Sequence, residues 1–228
     1  MNKGLQIGLG IASVTIMGVG SYYLFIRKSP KMKITSSDQA LKSGLVGDVL
    51  WKVIAREGLS KKYTDVIPLD GGTVGIAHYA VGGLGELYSQ MDTNKYFGKS
   101  KEEMIKNYSN SCRPSGRSGD DTGWGCYSKD WWREGMTRFV TSSESKKIQD
   151  RAWYVKMKPV IDNALSHGWN TKRQIAIALG IANSKGASGF NSLASKYNWD
   201  AEKTLNAYNT SDHYQRRIDA INKYFPLV

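Results

Sequence analysis

Apolar residues recur at helical spacing along most of the chain beyond residue 37. Leu45, Val46, Val49, Leu50, Val53 and Ile54 fall on one stripe, which predicts a helix over residues 45–57 closed by Gly58. Two short β-branched stretches follow, broken by Pro68 and by Asp70-Gly71-Gly72, the turn chemistry of a hairpin. Gly75, Gly82, Gly83 and Gly85 carry the loop-rich character to about Gly85, where a further helix is expected to start. Ser100 and Glu103 have capping-box spacing for another short helix.

Residues 109–129 are dense in Ser, Gly, Asp, Asn and Pro and read as a long surface loop. Asp130–Val140 and Ser145–His167 follow as predicted helices, with Pro159 expected to kink or divide the second. Thr171 and Gln174 form another capping box, ahead of Ile175, Ile177, Leu179 and Ile181. That stretch is apolar on most faces and is expected to be the central buried helix. Two more helices, over 201–208 and 212–224, run up to Pro226. The pattern as a whole predicts a mainly α fold: a helical body with a small β-hairpin lobe.

Before this body stands Gly4 to Ile26, an uncharged stretch long enough as a helix to cross a bilayer. Lys3 precedes it, Arg27 and Lys28 follow it, and Tyr22 and Tyr23 lie near its far end, where aromatic residues favour the interface. The expectation is an uncleaved N-terminal transmembrane helix. Gly18, Gly20 and Ser21 leave cleavage as a signal peptide open, and five glycines make a buried soluble helix a poor alternative. Residues 27–37 are basic and polar, a juxtamembrane linker able to meet anionic headgroups. The expected division is therefore an anchor over 1–26, a linker over 27–37 and one domain over 38–228. The basic flank after the span favours the cytoplasmic side, whereas the chemistry below asks for the opposite orientation, so topology stays open.

Composition narrows the class. The 228 residues are 40% apolar, too many for a disordered chain, and the length suits one sizeable domain with an appendage. Two cysteines exclude a disulfide-dense scaffold and a four-cysteine zinc site, and His78, His167 and His213 are scattered. No metal or organic cofactor is implied. Cys112 and Cys126 bracket the long loop. In an exported domain they can pair, closing a loop of roughly 15 residues and contributing about 3 kcal/mol. In the cytoplasm they would be free thiols.

The formal charge is +12. Five basic residues and no acidic one precede Asp38, so the remainder keeps a surplus of +7. Such a surplus favours a polyanionic partner such as cell-wall polymer, nucleic acid or an anionic membrane, although solubility alone also accounts for it. No helix-turn-helix, zinc or RNA-binding signature accompanies it, so a nucleic-acid partner is not expected.

The candidate chemistry lies in Arg56-Glu57-Gly58-Leu59, Tyr63-Thr64-Asp65 and Asp70-Gly71-Gly72-Thr73-Val74-Gly75-Ile76-Ala77-His78. A carboxylate at a helix end faces a glycine-rich hairpin that carries a second carboxylate and a threonine. Glycosidic hydrolysis needs one carboxylic acid to protonate the leaving oxygen and a second carboxylate to activate water or stabilise positive charge. Apolar surroundings raise the pKa of such an acid, and Trp51, Val53 and Ile54 on the preceding turns can supply them. Taken singly, each residue has a plainer role. Glu57 suits a solvated helix end, Asp65 and Asp70 suit turns, Thr73 suits a strand, and His78 suits a structural contact.

In combination they resemble the lysozyme-like superfamily. Phage-type lysozymes carry Glu-Gly-Leu, Tyr-x-Asp and Thr-x-Gly-x-Gly-His in this order, with nearly these gaps. Here Ala77 replaces the last glycine and the hairpin is slightly longer. The resemblance implies an α+β lysozyme-like fold, with Glu57 as general acid, Asp65 as the water-positioning carboxylate, Thr73 as its partner and His78 as structural. The stretch from Asp70 to Tyr79, followed by Gly82-Gly83-Leu84-Gly85-Glu86-Leu87, is also similar to the Asp-Gly…Thr-x-Gly-Ile stretch of chitosanases, in which reading Asp70 is the second carboxylate. The motif covers about 30 residues. Signal-anchor-release segments of some phage endolysins resemble the weakly hydrophobic N-terminal span.

A domain carrying +7 repels polycationic chitosan and attracts anionic peptidoglycan. The expected activity is therefore that of a muramidase, membrane-anchored with its domain facing the wall, as in a phage endolysin or a wall-penetrating protein. Trp124, Tyr127 and Trp131 offer aromatic faces for sugars, with His78 as a further candidate contact, though Trp131 and Trp132 equally suit core anchoring. The competing readings are a lytic transglycosylase, a chitosanase-like glycosidase and a non-catalytic wall-binding protein.

Overall fold

The chain divides into two units, Met1–Lys33 and Ile34–Val228. The computed structural model describes residues 33–56, 62–68, 72–80, 82–109, 125–208 and 212–227. The expected span over 4–26 lies outside them. Among the described residues no helix is long and apolar enough to cross a membrane.

The second unit is mainly helical. Helix α1 (Ser37–Lys42) begins where the Ser36 hydroxyl accepts the Gln39 N–H at 3.1 Å. Helix α2 (Leu45–Lys52) buries Leu45, Val46, Val49 and Leu50, as the stripe requires. It stops five residues short of its expected end: Val53 is the C-cap, its N–H still bonded to the Val49 carbonyl, and a 3₁₀ turn (Ile54–Arg56) follows. The β-branched Val53 and Ile54 are both fully buried, and their stiff χ1 angles suit the tighter final turn.

The hairpin consists of β1 (Val66–Ile67) and β2 (Thr73–Val74), antiparallel, with Val66 opposite Val74 and Ile67 opposite Thr73. A bridge from Val74 to Tyr79 returns the chain across the lobe. Helix α3 (Gly82–Gln90) starts three residues before its expected position, since Gly82, Gly83 and Gly85 lie inside it. Gly85 allows a close approach, because a Cβ there would stand 2.7 Å from the Ser109 hydroxyl.

Helix α4 (Thr93–Phe97) has no counterpart in the sequence reading. Asp92 caps its start and Gly98, at φ 64°, ends it. In α5 (Lys101–Tyr108) Ser100 caps Glu103 as expected, but the Glu103 carboxylate takes the Lys99 ammonium at 2.6 Å. Helices α6 (Asp130–Val140) and α7 (Ser145–Ser166) fall where the pattern placed them, and α7 runs through Pro159 without dividing.

Helix α8 (Lys172–Lys196) opens on the full Thr171–Gln174 capping box and breaks at Gly186, at φ 70°. Every residue from Ile175 to Ala182 is buried, so this is the central helix. Helices α7 and α9 (Ala201–Tyr208) pack against it, and α3 packs on α7. Helix α10 (Asp212–Tyr224) lies against α8 and against the 3₁₀ turn after α2.

Candidate functional site

The hairpin lobe is fastened to α7 by Gln149. That side chain is fully buried. Its Oε1 accepts the Ile76 N–H at 3.1 Å, and its Nε2 donates to the Tyr63 carbonyl at 2.7 Å and the Ser145 hydroxyl at 2.9 Å. Tyr79 adds a third link between lobe and helix, its hydroxyl donating to the Gln149 carbonyl at 2.5 Å. Gly75, at φ 69°, is where only glycine fits: a Cβ there would sit 1.9 Å from the Gln149 Oε1. The backbone of the lobe thus rests on one amide side chain.

Asp65 accepts twice in this lobe. Its carboxylate takes the Lys62 N–H at 2.8 Å, and its carbonyl takes the Gly75 N–H at 2.8 Å. The register of Ile67 with Thr73, extended by that Asp65–Gly75 bond, gives Asp65 and Thr73 the same face of the ribbon. Asp65 is half-buried and Thr73 is 1% exposed. His78, at φ 50°, occupies the tight return between β2 and Tyr79. The structure therefore brings Asp65, Thr73 and His78 into one small lobe. Glu57, Asp70, Trp124 and Cys112 lie outside the described residues. Arg56, the residue before Glu57, ends the 3₁₀ turn that follows α2.

The aromatic candidates separate. Trp131 is half-buried, with its ring edge-on to Tyr108 at 4.9 Å and to Phe97 at 6.1 Å, and Lys99 stands 5.3 Å from it. Trp132 is a core anchor that donates its Nε1–H to the Tyr88 hydroxyl at 2.8 Å, and Gly72 lies against its ring. Tyr127 is half-buried beneath the Arg133 guanidinium, 5.4 Å from its ring. Cys126 is disulfide-bonded.

Trp51 does not join Val53 and Ile54 in the core. It is 49% exposed, while those two are fully buried. It faces an open cleft of about 630 Å³ between α2, the turn before β1 and α7. Position 51 lies off the Leu45–Val53 stripe, so the spacing itself carried this signal.

Three groups with polar atoms out of reach of solvent had no sequence signal. Glu86 on α3 is half-buried. Its Oε2 is buried with no hydrogen-bond partner, and the Lys156 ammonium stands 3.9 Å away. Desolvation raises its pKa above the usual 4.5, and Lys156 only partly opposes this. Burial also raises the Tyr79 pKa, with the Glu86 charge adding to it. On α10, Arg217 is 1% exposed and donates to the Gly180 carbonyl at 2.5 Å and the Tyr208 hydroxyl at 2.8 Å. Burial pushes its pKa down to about 9.

The Glu86 shift has a definite sign. The native state holds the proton more tightly than the unfolded chain, so ionisation destabilises the fold as pH rises above 4.5. Glu86→Gln is expected to raise the melting temperature at pH 7, by no more than about 3 °C for a group this exposed, and the gain should close as pH falls toward 4.5. Thermal melts of both proteins across that range measure it. A gain that grows on acidification contradicts the assignment.

Comparison with known proteins gives no matching family model, no matching curated protein and no matching solved structure. Among the described residues no group of three or more His, Cys, Asp and Glu side chains is arranged to hold a metal ion.

Proposed function

We propose that this protein is a lysozyme-like glycoside hydrolase of muramidase type. It is tethered through residues 4–26 and cleaves peptidoglycan glycan strands by general acid/base catalysis. The observation that carries the reading is the lobe itself. Asp65 and Thr73 share one face of a two-stranded ribbon that Gln149 fastens to the helical body, close in sequence to the turn that leads into Glu57.

Glu57 is the general acid in this reading, protonating the leaving glycosidic oxygen. Such an acid works best where apolar surroundings favour its protonated form. Asp65 orients the attacking water, with Thr73 beside it. Asp65 already accepts the Lys62 N–H, but a carboxylate has further acceptor positions to hold a water. The excess of basic residues supports an anionic wall polymer over chitosan, and the disulfide at Cys126 supports an exported domain.

Mass spectrometry of purified peptidoglycan after incubation with the full chain tests the proposal. Muropeptides ending in reducing N-acetylmuramic acid are expected. Anhydro ends would replace the hydrolase by a transglycosylase, and reducing N-acetylglucosamine ends would move the cut to the other linkage. Intact glycan would leave the lobe as a binding or purely structural feature.

A further inference from the structure

Trp51 is the only aromatic among the described large hydrophobic side chains that stand exposed; the others are Ile105, Val155 and Leu227. Exposed tryptophan is a feature to be explained, since the ring gains much from burial. It lies nearly parallel to Tyr63, with an interplanar angle of 11° and ring centroids 6.4 Å apart. Tyr63 is held in place: its hydroxyl donates to Asp150 at 2.6 Å, and Asp150 also takes the Lys146 ammonium at 2.8 Å. Lys146 in turn stands 5.0 Å from the Tyr63 ring centroid. Two aromatic faces are thus presented in fixed orientation beside polar groups.

The same face of α2 that carries Trp51 also carries two glycines at the cleft, Gly47 one turn before it and Gly44 two turns before it. Gly47 lies inside α2, where glycine destabilises a helix by roughly 0.5–1 kcal/mol relative to alanine. A Cβ at Gly47 would meet nothing within 4 Å, so packing does not require the residue. Its absence of a side chain keeps the cleft wide.

The charges at the cleft are paired. Asp48 pairs with Lys52 at 3.0 Å and Asp150 with Lys146 at 2.8 Å, so every charged side chain lining the cleft has an opposite partner although the chain is strongly basic. A wide, charge-paired cleft with aromatic faces and fixed donors and acceptors fits a ligand that has an apolar face, many hydroxyls and no charge of its own. We propose that this cleft is a saccharide subsite that takes N-acetylated hexosamine units of a β-1,4 glycan, stacked on Trp51 and Tyr63 and hydrogen-bonded through Asp150 and Lys146. The choice of glycan rests on the hydrolase reading above; the cleft geometry does not.

The test is calorimetric titration of the full chain carrying Glu57→Gln, which blocks turnover in that reading, with neutral N-acetylglucosamine hexamer. Adding Trp51→Ala is expected to weaken binding at least about tenfold, and Trp51→Phe to restore part of it. Circular dichroism checks that each variant keeps its helices. Equal affinity with and without Trp51 overturns the subsite, even if wild-type protein releases muropeptides. A preference for the cationic glucosamine hexamer overturns the choice of a neutral unit. Trp51-dependent binding by a protein that cleaves no glycan would support the subsite while the hydrolase reading fails.

Discussion

Glu57→Gln is expected to reduce glycan cleavage by about 10²–10⁴-fold, the usual contribution of a general acid, with little change in stability. The substitution is nearly isosteric and removes only the proton donor. Turnover of purified peptidoglycan, measured beside a thermal melt, separates the two effects. Retained hydrolysis would remove Glu57 from the mechanism. Asp65→Asn and Asp70→Asn, measured in the same assay, identify the second carboxylate. Asparagine at 65 can still accept the Lys62 N–H at the position the carboxylate now fills, so a loss of rate there reports the lost charge and not a lost turn. Equal and minor losses at both positions would point to a mechanism with one essential acid.

Gln149→Leu is expected to be the most damaging single change to the fold, destabilising it by about 3–5 kcal/mol. It leaves the Ile76 N–H and the Tyr63 carbonyl without their partner, and each such buried group costs about 1–3 kcal/mol. That is a large share of the roughly 5–15 kcal/mol that holds a domain together. Gly75→Ala should approach the same effect from the other side. It adds a Cβ where Gln149 Oε1 stands and forces an L-residue to φ 69°. Denaturant unfolding of both variants measures this. A loss under about 1 kcal/mol for Gln149→Leu would mean that the lobe does not depend on α7. If the lobe is the catalytic wall proposed above, both variants should also lose activity at temperatures where they remain folded.

Much of the architecture was legible because it is local. The stripe from Leu45 to Val53 made α2, and the Thr171–Gln174 box started α8. The alternation of apolar and turn residues around Asp70-Gly71-Gly72 marked the hairpin. Helix α4 was missed because only five residues carry it, held between the Asp92 cap and the Gly98 stop, too short for any periodicity to register. The end of α2 was overrun because Val53 and Ile54 continue the apolar spacing while the backbone tightens into a 3₁₀ turn from Ile54. Pro159 was expected to kink or divide α7 and did not divide it, since packing against α8 and α3 outweighs one missing N–H bond.

The sequence by itself determined which faces are apolar, where helices begin, and that carboxylates, a threonine and a histidine cluster around a glycine-rich turn. These follow from spacing and from the conformational limits of single residues. Only the tertiary structure decided what lies across from that turn. Gln149 comes from a helix more than seventy residues further on, and nothing in its neighbours marks it as the amide on which Ile76 and Tyr63 rest. The same holds for the Trp51–Tyr63 pair and for Glu86 near Lys156: each depends on a distance between elements, and desolvation or stacking acts through space. Local propensity can assign a residue to a helix or a turn, but its electrostatic setting and its partners are fixed when the elements pack.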